Sequence, residues 1–400
     1  MASSRISLSR SLLLRASALA GMALAFAAPA SAQQSATLRL GMDESLSGVF
    51  TSVGVPPSTA VRMAVKEINE AGGFKVGDRM VKIQLVETDN KSETAAAVAN
   101  AIKLVEDEKI KFIFGPTVSA LANQAQEVTT ANNVLHISAA GSWQTLGYLA
   151  DPKKPLLFGT QLPLSTIGKI DADGLTQLGV KKVAFISRDD DTTKGSYPSF
   201  ETEVKAAGIQ VVPLLFPPNT TDFSSLVSRA KGENVDAIYI LQPQALGPDL
   251  LRTAVDLKAG PKGFAGRQLS PDVALKLATG SPVAIPYFST QSSPSFDYPP
   301  NDKVKAYTER LRAMGNPLGV TANFSFFAYD FVTMLTRAMT AAGTIDDTAK
   351  VAAALGAMSY DGVAGKICFG KELRTATYDG GEIFVRDGKV ESKTFASTCK

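Results

Sequence analysis

Apolar residues in this chain fall into short runs that alternate with stretches of helical spacing. The run "TLRLGM" predicts a strand. From Ser58, Val61, Ala64, Val65 and Ile68 recur at i, i+3, i+4 and i+7, the spacing of one helix face, until "AGG" supplies glycine terminators. Strand "VKIQLVE" follows, then a helix over about Ser92 to Glu108, strand "KFIF", a helix from about Ser119, and strand "VLHIS". Regular alternation of this kind predicts an α/β fold with a doubly wound parallel sheet.

The rhythm then restarts. "KKVAFIS", "IQVVPLLF" and "VDAIYIL" read as strands, separated by helical segments near Tyr197–Ala207 and Asp222–Lys231. A helix near Leu246–Lys258 and the runs "GFAG" and "VAIPYF" complete the second set. Two long helices, about Asp302–Met314 and Ala322–Ala342, precede a tail of strands with Asp387-Gly388 as a hairpin signal. The Pro-rich stretch "STQSSPSFDYPPND" has the composition of a linker. Two α/β units in tandem account for the whole pattern, and 400 residues exceed what a single core usually holds.

The N-terminus does not belong to this pattern. Arg5, Arg10 and Arg15 precede "ASALAGMALAFAA" and the A-x-A pair Ala30 and Ala32, the order of a secretory signal over residues 1–32, cleaved after Ala32. Its apolar part is shorter than the roughly 20 residues that span a bilayer. Of 41 basic residues three leave with it, so 38 remain against 38 acidic ones and the formal +3 falls to zero. A neutral balance gives no footing for nucleic acid. Export makes Cys368 and Cys399 candidates for a disulfide. Two cysteines and a single histidine, scattered along the chain, make no metal-ligand set.

Two strands end in bare polar tips, "FIFGPTVSA" and "VLHISAAGS". Ligands of open parallel sheets bind at the carboxyl ends of strands. Ser119 is read as the N-cap of the helix after the first tip, leaving N–H groups of that helix free. Ala139, Ala140 and Gly141 are too small to cover their own backbone, and the hydroxyls of Ser138 and Ser142 lie beside them. Trp143 is a candidate pocket wall and Phe50 a candidate at the cleft mouth. His136, inside its strand, is read as a structural histidine. There is no G-x-S-x-G, P-loop or dinucleotide fingerprint, and one strand-embedded histidine offers a poor base, so no enzyme is expected.

The segments "LSGVFTSVG", "AVKEINEAGG", "FGPTVSA", "ISAAGS", "LGVKKVAFI", "PPNTTDFSSLVSRAK", "FFAYDFV" and "YDGVAGKICF" occur in an order that resembles the leucine/isoleucine/valine-binding branch of the type I periplasmic binding proteins. The resemblance spans the mature chain. It implies two lobes joined by three crossovers with a small-molecule ligand clamped between them. Residues 36–160 with 290–363 would form lobe 1, and 161–289 with 364–400 lobe 2. It further implies a monomer without cofactor in the periplasm, which hands its solute to an inner-membrane ABC permease and its ATPase subunits. A sensory protein presenting its closed form to a signalling partner is the alternative.

Carried over by the same resemblance, Ser119 meets a ligand carboxylate, and Ala140 and Ser142 fall where a backbone carbonyl and a hydroxyl or N–H hold an amino-acid head group. Thr192, Gln242 and Gln268 close over it from lobe 2, and Phe324 makes an aromatic contact. The departures are informative. Amino-acid binders of the family place an acidic side chain where Gln268 falls, beside Arg267, and aromatic residues where Thr192, Gln242 and Val53 stand. A buried ammonium without an anionic partner is costly. The expected ligand is therefore an aromatic or aliphatic carboxylate, or an amide-like solute, without a free ammonium; a branched-chain amino acid is the alternative.

Overall fold

The computed structural model describes residues 35–399 except 218–219, 242, 268–286, 292, 316–319, 371–372 and 387–388. Residues 1–32, expected to be an export signal, lie outside the described residues, as do Gln242, Gln268 and the side chain of Thr192.

The first sheet has the order β2-β3-β1-β4-β5-β6. Its strands are β1 (Ser35–Glu44), β2 (Phe74–Val76), β3 (Arg79–Asp89), β4 (Phe112–Phe114), β5 (Leu135–Ser138) and β6 (Leu157–Gly159). All pairs are parallel except β2 with β3. Helix α1 runs from Thr51 to Glu70, seven residues earlier than its periodicity suggested, because Pro56 and Pro57 are carried inside it. It ends at Gly72 and Gly73, both at positive φ, as the "AGG" signal predicts. Helix α2 (Thr94–Ile102) finishes in one π-helical turn, α3 spans Ser119–Ala131, and α4 is the single turn Ser142–Thr145. The long helix Phe324–Ala342 packs along α1 and β2.

The second sheet has the order β16-β15-β11-β10-β9-β7-β8. It is made of β7 (Lys182–Arg188), β8 (Gln210–Phe216), β9 (Ala237–Ile240), β10 (Gly263–Arg267), β11 (Tyr287–Gln291), β15 (Gly380–Arg386) and β16 (Lys389–Phe395). β7 to β11 are parallel; β15 and β16 join antiparallel. Pro213 sits in β8, an edge strand, where a missing N–H costs no ladder bond on the open side. Arg386 pairs with Lys389 across Asp387-Gly388, which lie outside the described residues. Helices α5 (Leu164–Gln177) and α6 (Asp191–Ala206) pack on each other. α5 has no counterpart in the sequence reading, because its apolar positions are diluted by Gly168, Asp171, Asp173 and Gly174.

The chain passes between the sheets after β6, after β11 and near its end. The linker-like stretch 289–302 begins as the last residues of β11 and continues as the second passage. We place the third passage after β14 (Ala376–Thr377) rather than at 363. β12 (Ser359–Gly362), β13 (Gly365–Phe369) and β14 form a small sheet that Thr375 bridges to Gly159 of β6. Buried Asp330 on the long helix accepts from Val363 N (2.9 Å) and Ala364 N (3.0 Å), so these residues belong with the first sheet.

Cys368 and Cys399 are joined by a disulfide closing a separation of 31 residues. The bond ties the tail after β16 back to β13. Replacing both cysteines by serine is expected to cost about 3–4 kcal/mol by the chain-entropy argument. Urea unfolding of the double variant checks this; a loss under about 1 kcal/mol would mean that the tail is ordered without it.

Candidate functional site

A cavity of about 300 Å³ lies between the two sheets' carboxyl ends. The first lobe lines it with Val53 of α1, Thr117, Ser119, Ala120 and Asn123 around the start of α3, and Ala139 to Ser142 without Ala140. Thr145 and Gln161 form one wall; Leu164, Gly195 and Ser196 come from α5 and α6, and Phe324 from the long helix. Among the described residues that line it, none is charged.

The first tip folds this way because Gly115 takes φ +81° with its Cα packed on β1; a Cβ there would lie 2.3 Å from Asp43 O. Pro116 O accepts from Ser138 Oγ (2.6 Å), and Gly115 O accepts from His136 Nε2 (2.6 Å). Thr117 is held by Glu44, which accepts from Thr117 N (3.0 Å) and bonds Thr117 Oγ1 (2.7 Å). Three buried polar side chains thus shape the turn from behind. Burial pushes the Glu44 carboxyl up to about 8 and, one residue earlier, Asp43 up to about 6.

His136 is fully buried, as its strand position predicted. A carbonyl oxygen only accepts, so Nε2 carries the proton and Nδ1 accepts from Thr129 Oγ1 (2.8 Å). Burial lowers its pKa to about 4. A histidine held neutral keeps its full contribution above the unfolded value near 6.5 and loses it as pH falls towards 4. Between pH 6.5 and 4 the wild type should lose roughly 1.4 kcal/mol more per pH unit than a His136→Gln variant. Urea titrations of both at pH 7, 6, 5 and 4 measure the difference; parallel curves would refute it.

Ser119 lines the cavity, but Val118 is the N-cap and Ser119 the first helical residue. Its Oγ accepts from Ser142 N (3.3 Å), and Ser142 Oγ donates to Asn123 Oδ1 (2.7 Å), so the two tips are stitched together. The opening N–H groups of α3 have no i−4 partner in the helix. Gly141 and Phe324 also line the cavity; a Cβ on Gly141 would lie 2.3 Å from Gln161 Oε1.

Three expected residues are placed elsewhere. Ala140 is buried; its N–H bonds Ser138 Oγ (3.0 Å) and its carbonyl accepts from Trp143 N (3.3 Å), so the small-residue tip presents Ala139 and Gly141 instead. Trp143 is 0% exposed and stands edge-on to His136 with ring centroids 4.9 Å apart, in a cluster with Ala122, Leu149 and Leu157. A large apolar ring after a turn finds the core before it finds a ligand. Phe50 is the N-cap of α1, half-buried, with its N–H on Ser92 Oγ (3.0 Å), outside the cavity lining. The sequence reading missed Thr117, Ala120, Asn123, Thr145, Gln161, Leu164, Gly195 and Ser196. Asn123 carried a usable signal, four residues after Ser119 on one helix face.

The crossing segments meet beside the cavity. Leu162 N donates to Tyr378 Oη (3.0 Å) and Thr375 Oγ1 donates to Gln161 O (2.6 Å), joining the first and third passages. The family model of the periplasmic binding proteins matches residues 37–380. The chain belongs to that family. It lies in the branch of the Leu/Ile/Val-binding proteins. It is 29% identical over 328 residues to the Leu/Ile/Val-binding protein BraC3 of Rhizobium johnstonii, covering 80% of this chain and 83% of the relative. Among solved structures it resembles the branched-chain amino acid transporter substrate-binding protein LivJ from Streptococcus pneumoniae, in complex with isoleucine. There the TM-score is 0.71 at 25% identity, over 90% of this chain and 99% of that one. It also shares the fold of an ABC-transporter solute-binding protein from R. palustris in complex with 4-hydroxybenzoate, with TM-score 0.71, 23% identity and coverage of 91% and 98%. Membership of that family implies a solute-binding protein of the periplasm.

Proposed function

We propose that this periplasmic binding protein, after loss of residues 1–32, captures a small carboxylate lacking an ammonium group. It would deliver that solute as a monomer to an inner-membrane ABC permease and its ATPases. The carrying observation is the chemistry of the cavity: hydroxyls, amides and the start of α3, with no acidic side chain among the described lining residues. An α-carboxylate or aryl carboxylate is matched by the hydroxyl of Ser119, which accepts from Ser142 N and keeps its own proton to donate, and by the N–H groups of the first residues of α3. Among the described lining residues an ammonium would meet only neutral dipoles, at a cost of several kcal/mol. Phe324, Val53 and Leu164 supply the apolar part of the enclosure. A protein of the same fold is seen with 4-hydroxybenzoate, so the architecture accommodates such a ligand. The relatives' names favour a second reading, a branched-chain amino acid.

Isothermal titration with benzoate, 4-hydroxybenzoate, hexanoate, leucine and isoleucine separates the two. Tighter binding of an acid than of either amino acid is expected. Tight leucine or isoleucine binding with weak binding of every acid would replace the first reading by the second. The closed form should be populated only with ligand, because the second lobe contributes its contacts on closure.

A further inference from the structure

Thr117 faces the cavity while its hydroxyl is tied from behind to a carboxyl that does not line it. Glu44 is 0% exposed, with Oε2 on Thr117 N (3.0 Å) and Oε1 on Thr117 Oγ1 (2.7 Å). A threonine hydroxyl has one proton to give. An ionised Glu44 only accepts, so Thr117 must spend that proton backwards and turn lone pairs to the cavity. A protonated Glu44 reverses the bond: its O–H donates to Oγ1, and the threonine proton is released to point into the cavity. The N–H bond to Oε2 is the same in both states, so the turn keeps its shape while the polarity of one cavity group inverts.

We propose that Glu44 is a positioning residue that sets Thr117 as donor or acceptor, and thereby couples carboxylate binding to its own protonation. The inference rests on the carboxylate reading given above. With a proton on Glu44, Thr117 donates to a bound anion; without it, an oxygen lone pair and a buried negative charge both oppose the anion. Bound carboxylate therefore favours the protonated form, and affinity falls as pH rises past the point where Glu44 ionises.

The surroundings set the window. Burial holds Glu44 near 8 and the adjacent Asp43 carboxylate on β1 adds to the shift. Asp43, itself bonded by Thr88, Asn90 and Asn100, lies near 6 and stays ionised above pH 7. Asp89 at the end of β3 acts on Asp43 and lies below the usual carboxylate range. His136 on β5, across Gly115, is neutral throughout. From pH 7 to 9.5 Glu44 is thus the group of this cluster that changes charge.

Glutamine imitates the protonated state. Its carbonyl oxygen accepts Thr117 N–H and its NH2 donates to Oγ1, at any pH. The test uses the mature protein in two arms. In the first, without ligand, ¹³C-carboxyl NMR of glutamate-labelled protein follows the resonance missing from E44Q. Titration above pH 7 is expected, and titration below 6 overturns the proposal. In the second, isothermal titration follows the tightest of benzoate, 4-hydroxybenzoate and hexanoate from pH 7 to 9.5. Wild-type affinity should fall roughly tenfold per pH unit above 8, while E44Q stays flat at the tight value and Thr117→Val is weaker at pH 7 and falls less steeply than the wild type. A flat wild-type profile, or an E44Q profile that falls in parallel, overturns the proposal with the carboxylate reading intact. Failure of all three acids to bind at any pH overturns that reading, and the proposal's ligand half with it.

Discussion

Arg267→Ala is expected to destabilise the protein by about 3–5 kcal/mol, the cost of stripping the partner from a buried charge. Asp171 on α5 is 0% exposed and accepts from Arg267 Nε (3.1 Å) and Nη2 (2.8 Å) at the end of β10. Tyr239 Oη on β9 (2.8 Å) and Thr290 Oγ1 on β11 complete its shell. One carboxylate therefore pins a helix to three neighbouring strands beneath the cleft. Without the guanidinium, two neutral hydroxyls are left to hold a negative charge in the core. Replacing the pair together, Asp171→Asn with Arg267→Met, removes both charges and should recover much of the loss, since charge and counter-charge disappear together. Urea unfolding at pH 7 of both variants gives the comparison. A single-variant loss under 1 kcal/mol would show that water reaches Asp171 and that the network is not what holds β10.

Gly195→Leu should abolish ligand binding while leaving the fold at least as stable. Gly195 lies inside helix α6 and lines the cavity opposite Thr145. A Cβ alone would stand 3.0 Å from Thr145 Cγ2, and a leucine adds three further carbons to the same space. The lobes would have to part, withdrawing Ser196 and Leu164 from the ligand. The helix itself gains, because leucine replaces the residue with nearly the worst interior propensity, a gain of about 0.5–1 kcal/mol. Binding by isothermal titration and unfolding by urea thus move in opposite directions: more than a hundredfold weaker affinity with unchanged or raised stability. Retained affinity would mean that this wall is not closed on the ligand.

The fold was largely legible because alternation is local. β1, β3, β4, β5, β7, β8 and β9 appear within a few residues of the apolar runs that announced them: β4, β5, β7 and β9 are buried nearly throughout and must be apolar throughout, whereas β3 and β8 keep part of their length exposed. Helix α6 starts six residues before its reading, because its opening "DTTKGS" is polar and is held by Asp190 accepting from Thr193 N (3.0 Å) rather than by burial. The site was legible in part. Ser119, Gly141, Ser142 and Phe324 reach the cavity, whereas Trp143 and Ala140 are turned into the first lobe's core. A tip of small residues shows that backbone is exposed somewhere; which of three consecutive peptides faces the ligand depends on the local turn. Gln161 and Gly195 had no signal, because they become cavity residues only where a crossing segment and a second lobe come to face the first.

Taken alone, the chain's own order of residues determined its two α/β halves and the two strand tips that line the cavity, because periodicity and turn chemistry act within a few residues. Tertiary structure alone decided that Glu44 and His136 stand behind the turn bearing Thr117, that Asp171 meets Arg267, and that Gly195 closes against Thr145. Each of these joins residues far apart in the chain, and a contact of that kind is set by how packed layers come together in space.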